Sequence, residues 1–459
     1  MHNEPQSNKL PKKMKIFYGI GDLGNAVVNS AIQFFLMKFY TDGALILPSL
    51  AGNALLIGKI WDAINDPLFG WLTDRTKSRF GKRRVFMLFG AIPLGIAIAL
   101  LWFVPTADRI WTFVWIAATF ILFDTVWTLT NVPYYALTSE LTDDYDERSS
   151  LTIYRMVMAV PAYLVGAALT PAIVGLFALQ RTGYAFIGIA YGVLAAAALL
   201  VSASGFRERQ KVSETKPEAS PFKSLLVALR NKPFVWLCLT YFIVNISFAF
   251  IKILMAYYIE YQLLMKAQTS LVMGLMLICV TISLPFWQWV SCKMDKGPAY
   301  ALGMVFGALA VILTFFLPHK STGLIYLISV LAGFGFSAQW IFPWAMVADV
   351  SDYDRVKTGQ QRSGMYYGVW GLATKISEAL AAVGWILTGF GYVPNVEQTP
   401  HALLGIRLFF GLIPAVFIFA AIPLLIKYPI TRKSHAEIRR RLDAMDAAAA
   451  ENDEPVRTL

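Results

Sequence analysis

Charge is scarce in this chain. Asp, Glu, Lys and Arg supply 15% of 459 residues, against about a quarter in a typical soluble domain. Histidine and cysteine are scarcer still. The three cysteines (Cys238, Cys279, Cys292) have no metal-ligand spacing and are too few for a disulfide framework. The four histidines (His2, His319, His401, His435) fall at the N-terminus, in connections and in the tail. That scatter argues against a nucleophile–base or metal constellation, so no enzyme and no cofactor is expected. The N-terminus is polar up to Lys15 and lacks a small-residue cleavage site, so no cleavable signal peptide is expected. What the chain has in excess is apolar: hydrophobic residues make up 57%, and mean hydropathy is +0.55. A membrane protein is expected. The net charge of +11 collects in a few connections and the tail, which points to topology rather than to nucleic acid.

Apolar runs of spanning length predict twelve transmembrane helices. They lie near 15–40, 49–73, 85–105, 109–139, 150–177 and 183–206, then 233–262, 268–293, 299–318, 322–350, 363–391 and 402–427. Basic residues mark the N-terminus, the loop after span 2, the loop after span 6 and the tail, while Thr41–Leu47, Pro105–Arg109 and Gly391–Thr399 hold almost none. Both termini are therefore expected in the cytoplasm, with the chain in a plasma (bacterial inner) membrane. Residues 207–232, rich in Glu, Ser, Lys and Pro, read as a linker between two six-span bundles, 1–206 and 233–428. Residues 429–459 read as a cytoplasmic tail carrying an amphipathic helix from Ser434. The halves resemble each other: Pro133, Ala136, Glu140 and Tyr145 after span 4 correspond to Pro343, Ala345, Asp349 and Tyr353 after span 10. Two parallel six-helix repeats with a solute between them are a transporter architecture, the major facilitator fold.

Polar residues inside apolar helices carry the chemistry. Asp62 and Asp66 sit one turn apart on one face of span 2, and each costs about 2.5–3.5 kcal/mol to insert on translocon scales. They read as a cation site beside a solute pathway. A structural network with Lys59 or Lys375 is the alternative, and a weaker one, because buried ion pairs add little net stability. Asp22 and Asn25 lie at i, i+3 in span 1. Asp124, Thr128, Asn131 and Tyr135 share one face of span 4, with Trp127 beside them. Lone Thr or Asn residues usually bond helix to helix, but a four-member stripe containing an acid points to solute. Trp344 and Trp340 in span 10 are stacking faces for a sugar ring, or interfacial anchors.

Gly70-Trp-Leu-Thr-Asp-Arg75 followed by Gly81-Lys-Arg-Arg84 resembles the major facilitator loop between helices 2 and 3. Trp61-Asp-Ala-Ile-Asn-Asp-Pro67 resembles the signature of the glycoside–pentoside–hexuronide:cation symporters, the melibiose permease family. Further matches are Tyr18-Gly-Ile-Gly-Asp22, Tyr40-Thr-Asp42, Asn131-Val-Pro-Tyr134, Ala348-Asp-Val-Ser-Asp-Tyr353 and Gly391-Tyr-Val-Pro-Asn395. The resemblance implies sodium held by Asp62, Asn65, Asp66 and Thr128, an oxygen set suited to a hard cation. Two close carboxylates can also hold a proton, so Na⁺ and H⁺ both remain open. Two acids that grip galactosyl hydroxyls in the melibiose permease are replaced by Ala26 and Asn131, and its stacking Trp by Tyr135. Arg155 and Lys375 match family residues of the solute site. Asn131 donates and accepts without charge, which suits a glycoside or an anionic sugar.

The expected function is cation-coupled symport of a sugar or glycoside by alternating access, in a monomer. Its partners are the solute, the cation and the bilayer. Sodium-coupled lysophospholipid transport, which uses the same span 2 acids in distant relatives, is the alternative; a polytopic membrane enzyme is a poorer one. Asp74, Arg75, Arg83, Asp143, Asp144, Arg148, Asp349, Asp352 and Arg362 are expected to form cytoplasmic ion pairs that act as gates.

Overall fold

The structure, a computed structural model, describes residues 10–453 except 77, 106–107, 142–144, 206–226, 360–362 and 382. Within its helices the side chains of 63, 66, 67, 70, 71, 74, 75, 138–140, 145, 146, 148, 149, 363, 364 and 446–453 also lie outside the description. The described residues are helical, without strands. In order they form α1 (Lys12–Ala31), α2 (Pro48–Arg75), α3 (Arg84–Leu101), α4 (Arg109–Leu141), α5 (Tyr145–Val174) and α6 (Gln180–Ser204). After 206–226 come α7 (Lys232–Tyr257), α8 (Thr269–Ser291), α9 (Lys296–Phe315), α10 (Thr322–Thr358), α11 (Ser363–Leu380) and α12 (Val383–Gly389). The last are α13 (Pro400–Arg407), α14 (Ile413–Ile426) and the tail helix α15 (Arg432–Asp453). Nine helical stretches among the described residues are long and apolar enough to cross a bilayer. The other three predicted spans are the polar α1 and α2, and span 11, which divides into α11 and α12. The fold is that of an all-α polytopic membrane protein, and each predicted span is found as helix.

The repeat is written into the backbone. α1 continues through π-helical turns Ile32–Leu36 and Phe39–Gly43, and α7 through Tyr258–Gln262. Each then stops in the same way. The amide of Ala44 donates to the Phe39 carbonyl (2.8 Å) and that of Ile46 to Tyr40 (3.0 Å); Leu263 donates to Tyr258 and Met265 to Ile259, both 3.0 Å. The residues between them, Leu45 and Leu264, have φ of 57° and 56°, a left-handed conformation that costs a branched side chain about 1 kcal/mol or more. The first helix of each half carries the same strained stop. Pro133 and Pro343, paired in sequence, also both lie inside helices, α4 and α10.

One expectation is corrected here. Span 10 is expected to end near 350, with Asp349 at its end and Asp352 beyond it, but α10 runs 37 residues to Thr358, about 55 Å at ~1.5 Å per residue. They sit on helix beyond the ~30 Å that a hydrocarbon core accommodates.

The chain forms two compact units. Unit 1 comprises Met1–Lys216, Lys252–Gly274 and Ala382–Arg407; unit 2 comprises Pro217–Ile251, Leu275–Ala381 and Leu408–Leu459. In unit 1, helices close up on glycine. A Cβ at Gly58 of α2 would stand 1.9 Å from the Phe120 ring of α4, and one at Gly166 of α5 2.3 Å from the Val27 carbonyl of α1. In unit 2, the Trp287 indole donates to the Phe334 carbonyl (2.7 Å). The tail helix is fastened to α9 and α10: the Arg432 amide donates to Asp295 (2.7 Å), and Arg439 pairs with Asp352 (3.4 Å).

Candidate solute and cation site

α2 and α4, which carry the predicted cation ligands, pack against each other in unit 1. Asp62, Asn65 and Thr128 are all buried, Asn65 completely. The Trp61 indole donates to Thr125 Oγ1 (2.8 Å) and Asn65 Nδ2 to Asp124 Oδ2 (2.8 Å), so α2 and α4 are stitched at neighbouring positions. Asp66 continues the α2 face, with its side chain outside the description. The Asn65 carbonyl oxygen is buried and meets no donor among the described residues, an orphan that a cation or water would satisfy. No group of three or more His, Cys, Asp or Glu placed to hold a metal ion occurs among the described residues; the predicted donor set is mixed oxygen, the kind a hard cation takes.

The predicted solute ligands lie on α1, α4 and α5. Arg155 Nε donates to Asp22 Oδ2 (2.9 Å), and Tyr135 donates to Asp22 Oδ1 (3.4 Å). The Arg155 guanidinium lies 4.6 Å above the Tyr135 ring. Asn25 donates its amide to Asn131, which donates to the Trp127 carbonyl (3.0 Å). Tyr18 and Tyr134 bond each other's carbonyls (3.2 and 2.7 Å), clamping α1 to α4 beneath this cluster. Tyr135 is 42% exposed in an otherwise buried neighbourhood, leaving a ring face for a guest. The Asp22–Arg155 pair cancels net charge while keeping spare donors and acceptors for hydroxyls.

Sequence reasoning missed three members. Gln33 Nε2 donates to Asn29 (2.5 Å) and Tyr163 donates to Gln33 (3.0 Å). With Asp22 and Asn25, Asn29 and Gln33 make one polar stripe of α1 at i, i+3, i+7 and i+11, a spacing visible in the sequence.

In unit 2, Trp344 is 52% exposed and stacks on Tyr367 of α11 (centroids 6.2 Å, 20°). Lys375 is half-buried on α11. Beside it, buried Asn245 of α7 donates to Ser377 (2.7 Å), which donates to the Thr374 carbonyl (2.7 Å). α11 is thereby braced at the lysine.

The predicted gates divide. Asp143 and Arg362, and the side chains of Asp74, Arg75 and Arg148, lie outside the described residues, as does Asp144. Arg83 is half-buried. Asp349 is held by Lys296 (2.6 Å) and faces His435 (3.2 Å), so its partners belong to α9 and the tail. In unit 1 a pair that sequence reasoning overlooked joins Lys15 to Glu147 (2.8 Å), both buried.

A second overlooked cluster closes the far ends of α1 and α7. Lys38 is buried between Asp42 and Glu260, 2.8 Å from each, and over the rings of Tyr257 and Tyr261 at 4.8 and 4.7 Å. Asp42 accepts further from Thr41 (2.8 Å), Tyr261 (2.7 Å) and Tyr392 (2.5 Å). The Asn395 amide side chain donates to the Asp42 carbonyl (2.7 Å). All belong to unit 1. The π turns set this register: Lys38 precedes the one that contains Asp42, and Tyr257 precedes the one that contains Glu260 and Tyr261.

Repeated helices with buried acids, amides and an exposed aromatic face define a polytopic membrane carrier. The chain belongs to the MFS/sugar transport protein family, whose model matches residues 17–432. Two relatives come from Escherichia coli (strain K12). One, whose name proposes sulfoquinovose import, is 32% identical over 95% of this chain and 94% of its own. The other, named for proposed glycoside/cation symport (YagG), is 28% identical over 96% and 97%. The sodium-dependent lysophosphatidylcholine symporter 1-A of Danio rerio is 26% identical over 98% and 94%. The solved structure of a bacterial homologue of the human drug peptide transporters PepT1 and PepT2 covers 94% of this chain and 99% of that chain. Its TM-score is 0.63 at 15% identity, a likeness of fold alone.

Proposed function

We propose that the chain is a cation-coupled symporter of a sugar or glycoside, working by alternating access as a monomer in a bacterial inner membrane, both termini cytoplasmic. The observation that carries this is the union of two sites on α4. Its Asp124 meets the buried α2 set at Asn65, with Thr128 one turn further on, and its Asn131 and Tyr135 meet the Asn25, Asp22 and Arg155 cluster. A cation at Asp62, Asn65, Asp66 and Thr128 offsets carboxylate charge and stiffens α4, which presents Asn131 and Tyr135 to the solute. Solute then raises cation affinity by the same factor. The cation is a co-substrate; no cofactor enters. Trp127 belongs to the same solute side in unit 1, and Trp344 and Lys375 are proposed solute ligands of unit 2.

Lysophospholipid transport is the second reading, favoured by the Danio rerio relative. Purified protein in proteoliposomes, given Na⁺ or H⁺ gradients, is tested with labelled glucosides, pentosides, hexuronides and lysophosphatidylcholine. Gradient-dependent accumulation of one sugar class is expected. Uptake of lysophosphatidylcholine alone selects the second reading, and uptake indifferent to both gradients refutes symport.

A further inference from the structure

Asn65 can point its amide two ways, and Asp124 decides which. A carboxylate offers only acceptors, so the Asn65 nitrogen must face it; the bond is 2.8 Å and Asp124 is 6% exposed. The Asn65 oxygen is thereby turned away from Asp124, and there it stands buried, with no partner among the described residues, in a residue of zero exposure. An orphaned carbonyl oxygen in such a place is costly unless a ligand meets it. Its neighbour one turn back on the same helix face is buried Asp62. The local frame is stiff: Trp61 is bonded to Thr125, and Gly58 lets the Phe120 ring lie against α2.

We propose that Asp124 is a positioning residue of the coupling-cation site, fixing the Asn65 amide so that its carbonyl oxygen is presented to the cation. Asp124 is then removed from the solute ligands with which its place in the α4 stripe had grouped it. The inference rests on the symport reading. It adds that the electronegative wall behind Asn65 comes from α4, so that cation binding and the solute-facing side of α4 share one helix.

The test uses the cation alone, without solute. The thermal unfolding midpoint of the purified full chain is titrated with NaCl, LiCl and pH, against choline chloride. Asp124→Ala is expected to raise the half-saturating concentration of the responsive cation about tenfold or more, the scale of one hydrogen bond to a charged group. Because Asp124 acts through Asn65, Asn65→Ala and the double variant are expected to agree within about twofold. Where Asp124→Ala fails to fold, the isosteric Asp124→Asn is read on the same axis, with an expected weakening of about threefold or more. Unchanged half-saturation in a folded Asp124 variant overturns the proposal, as do additive effects of the two alanine substitutions. A wild-type protein that responds to none of these cations refutes the symport reading, and this inference with it.

Discussion

Lys38→Met removes one charge from the closed end of unit 1, and its effect follows from the geometry. The ammonium serves Asp42 and Glu260 at 2.8 Å each, with only 6% of its side chain exposed. Breaking a buried pair from one side costs about 3–5 kcal/mol. Asp42 keeps three hydroxyl donors, and Glu260 keeps Lys266 at 2.7 Å, which places the loss near the lower end, about 3 kcal/mol. That favours local opening roughly a hundredfold. The Asn395 amide, which donates to the Tyr261 hydroxyl at 3.1 Å, reports it. In nanodiscs, hydrogen exchange across 392–396 and 258–265 should accelerate by about two orders of magnitude, with exchange in α3 unchanged. Glu260→Gln should do less, because the Lys38–Asp42 bond survives. Exchange in Lys38→Met equal to wild type refutes the idea that this cluster holds the helix ends shut.

Asp22→Asn leaves the Arg155 guanidinium without its counter-charge and is expected to shift solute preference toward anionic sugars by about tenfold; competition of hexuronide against uncharged glycoside uptake reads the ratio. Gly58→Ala forces a Cβ into the Phe120 ring, and overpacking of this kind costs about 1–3 kcal/mol. A fall in thermal midpoint accompanied by weaker cation response is expected, and an unaltered cation response would separate α2–α4 packing from the site. Deleting 430–459 removes His435 and Arg439 from Asp349 and Asp352. With Arg439 exposed, the pairs contribute about 1 kcal/mol or less, so transport should persist with a slightly lowered midpoint.

Much of this molecule was legible as periodicity. Helix-length apolar runs located every span, and the α4 stripe from Asp124 to Tyr135 was readable as one face because a helix repeats every 3.6 residues. Pro133 and Pro343 pair in the sequence and both fall inside helices. Other features were hidden because their partners are distant in the chain. Lys38 reads as a snorkelling cation at the end of a span; only folding brings Glu260, Tyr261 and Tyr392 around it. The π turns leave no trace in hydropathy, yet they set which residues meet there. Asp22 was legible as polar and in a membrane, but its commitment to Arg155 was not. Asp124 was grouped by spacing with the solute residues, whereas its bond to Asn65 joins it to α2.

Asp62 and Asp66 are held to convert a cation gradient into solute accumulation, and transport in proteoliposomes addresses that directly. Asp62→Cys and Asp66→Cys are each compared with wild type for gradient-driven accumulation and for solute exchange at equal cation on both sides. Both variants should lose accumulation while staying in the membrane and retaining exchange. Accumulation at the wild-type level in either variant contradicts the assignment of the cation to this pair.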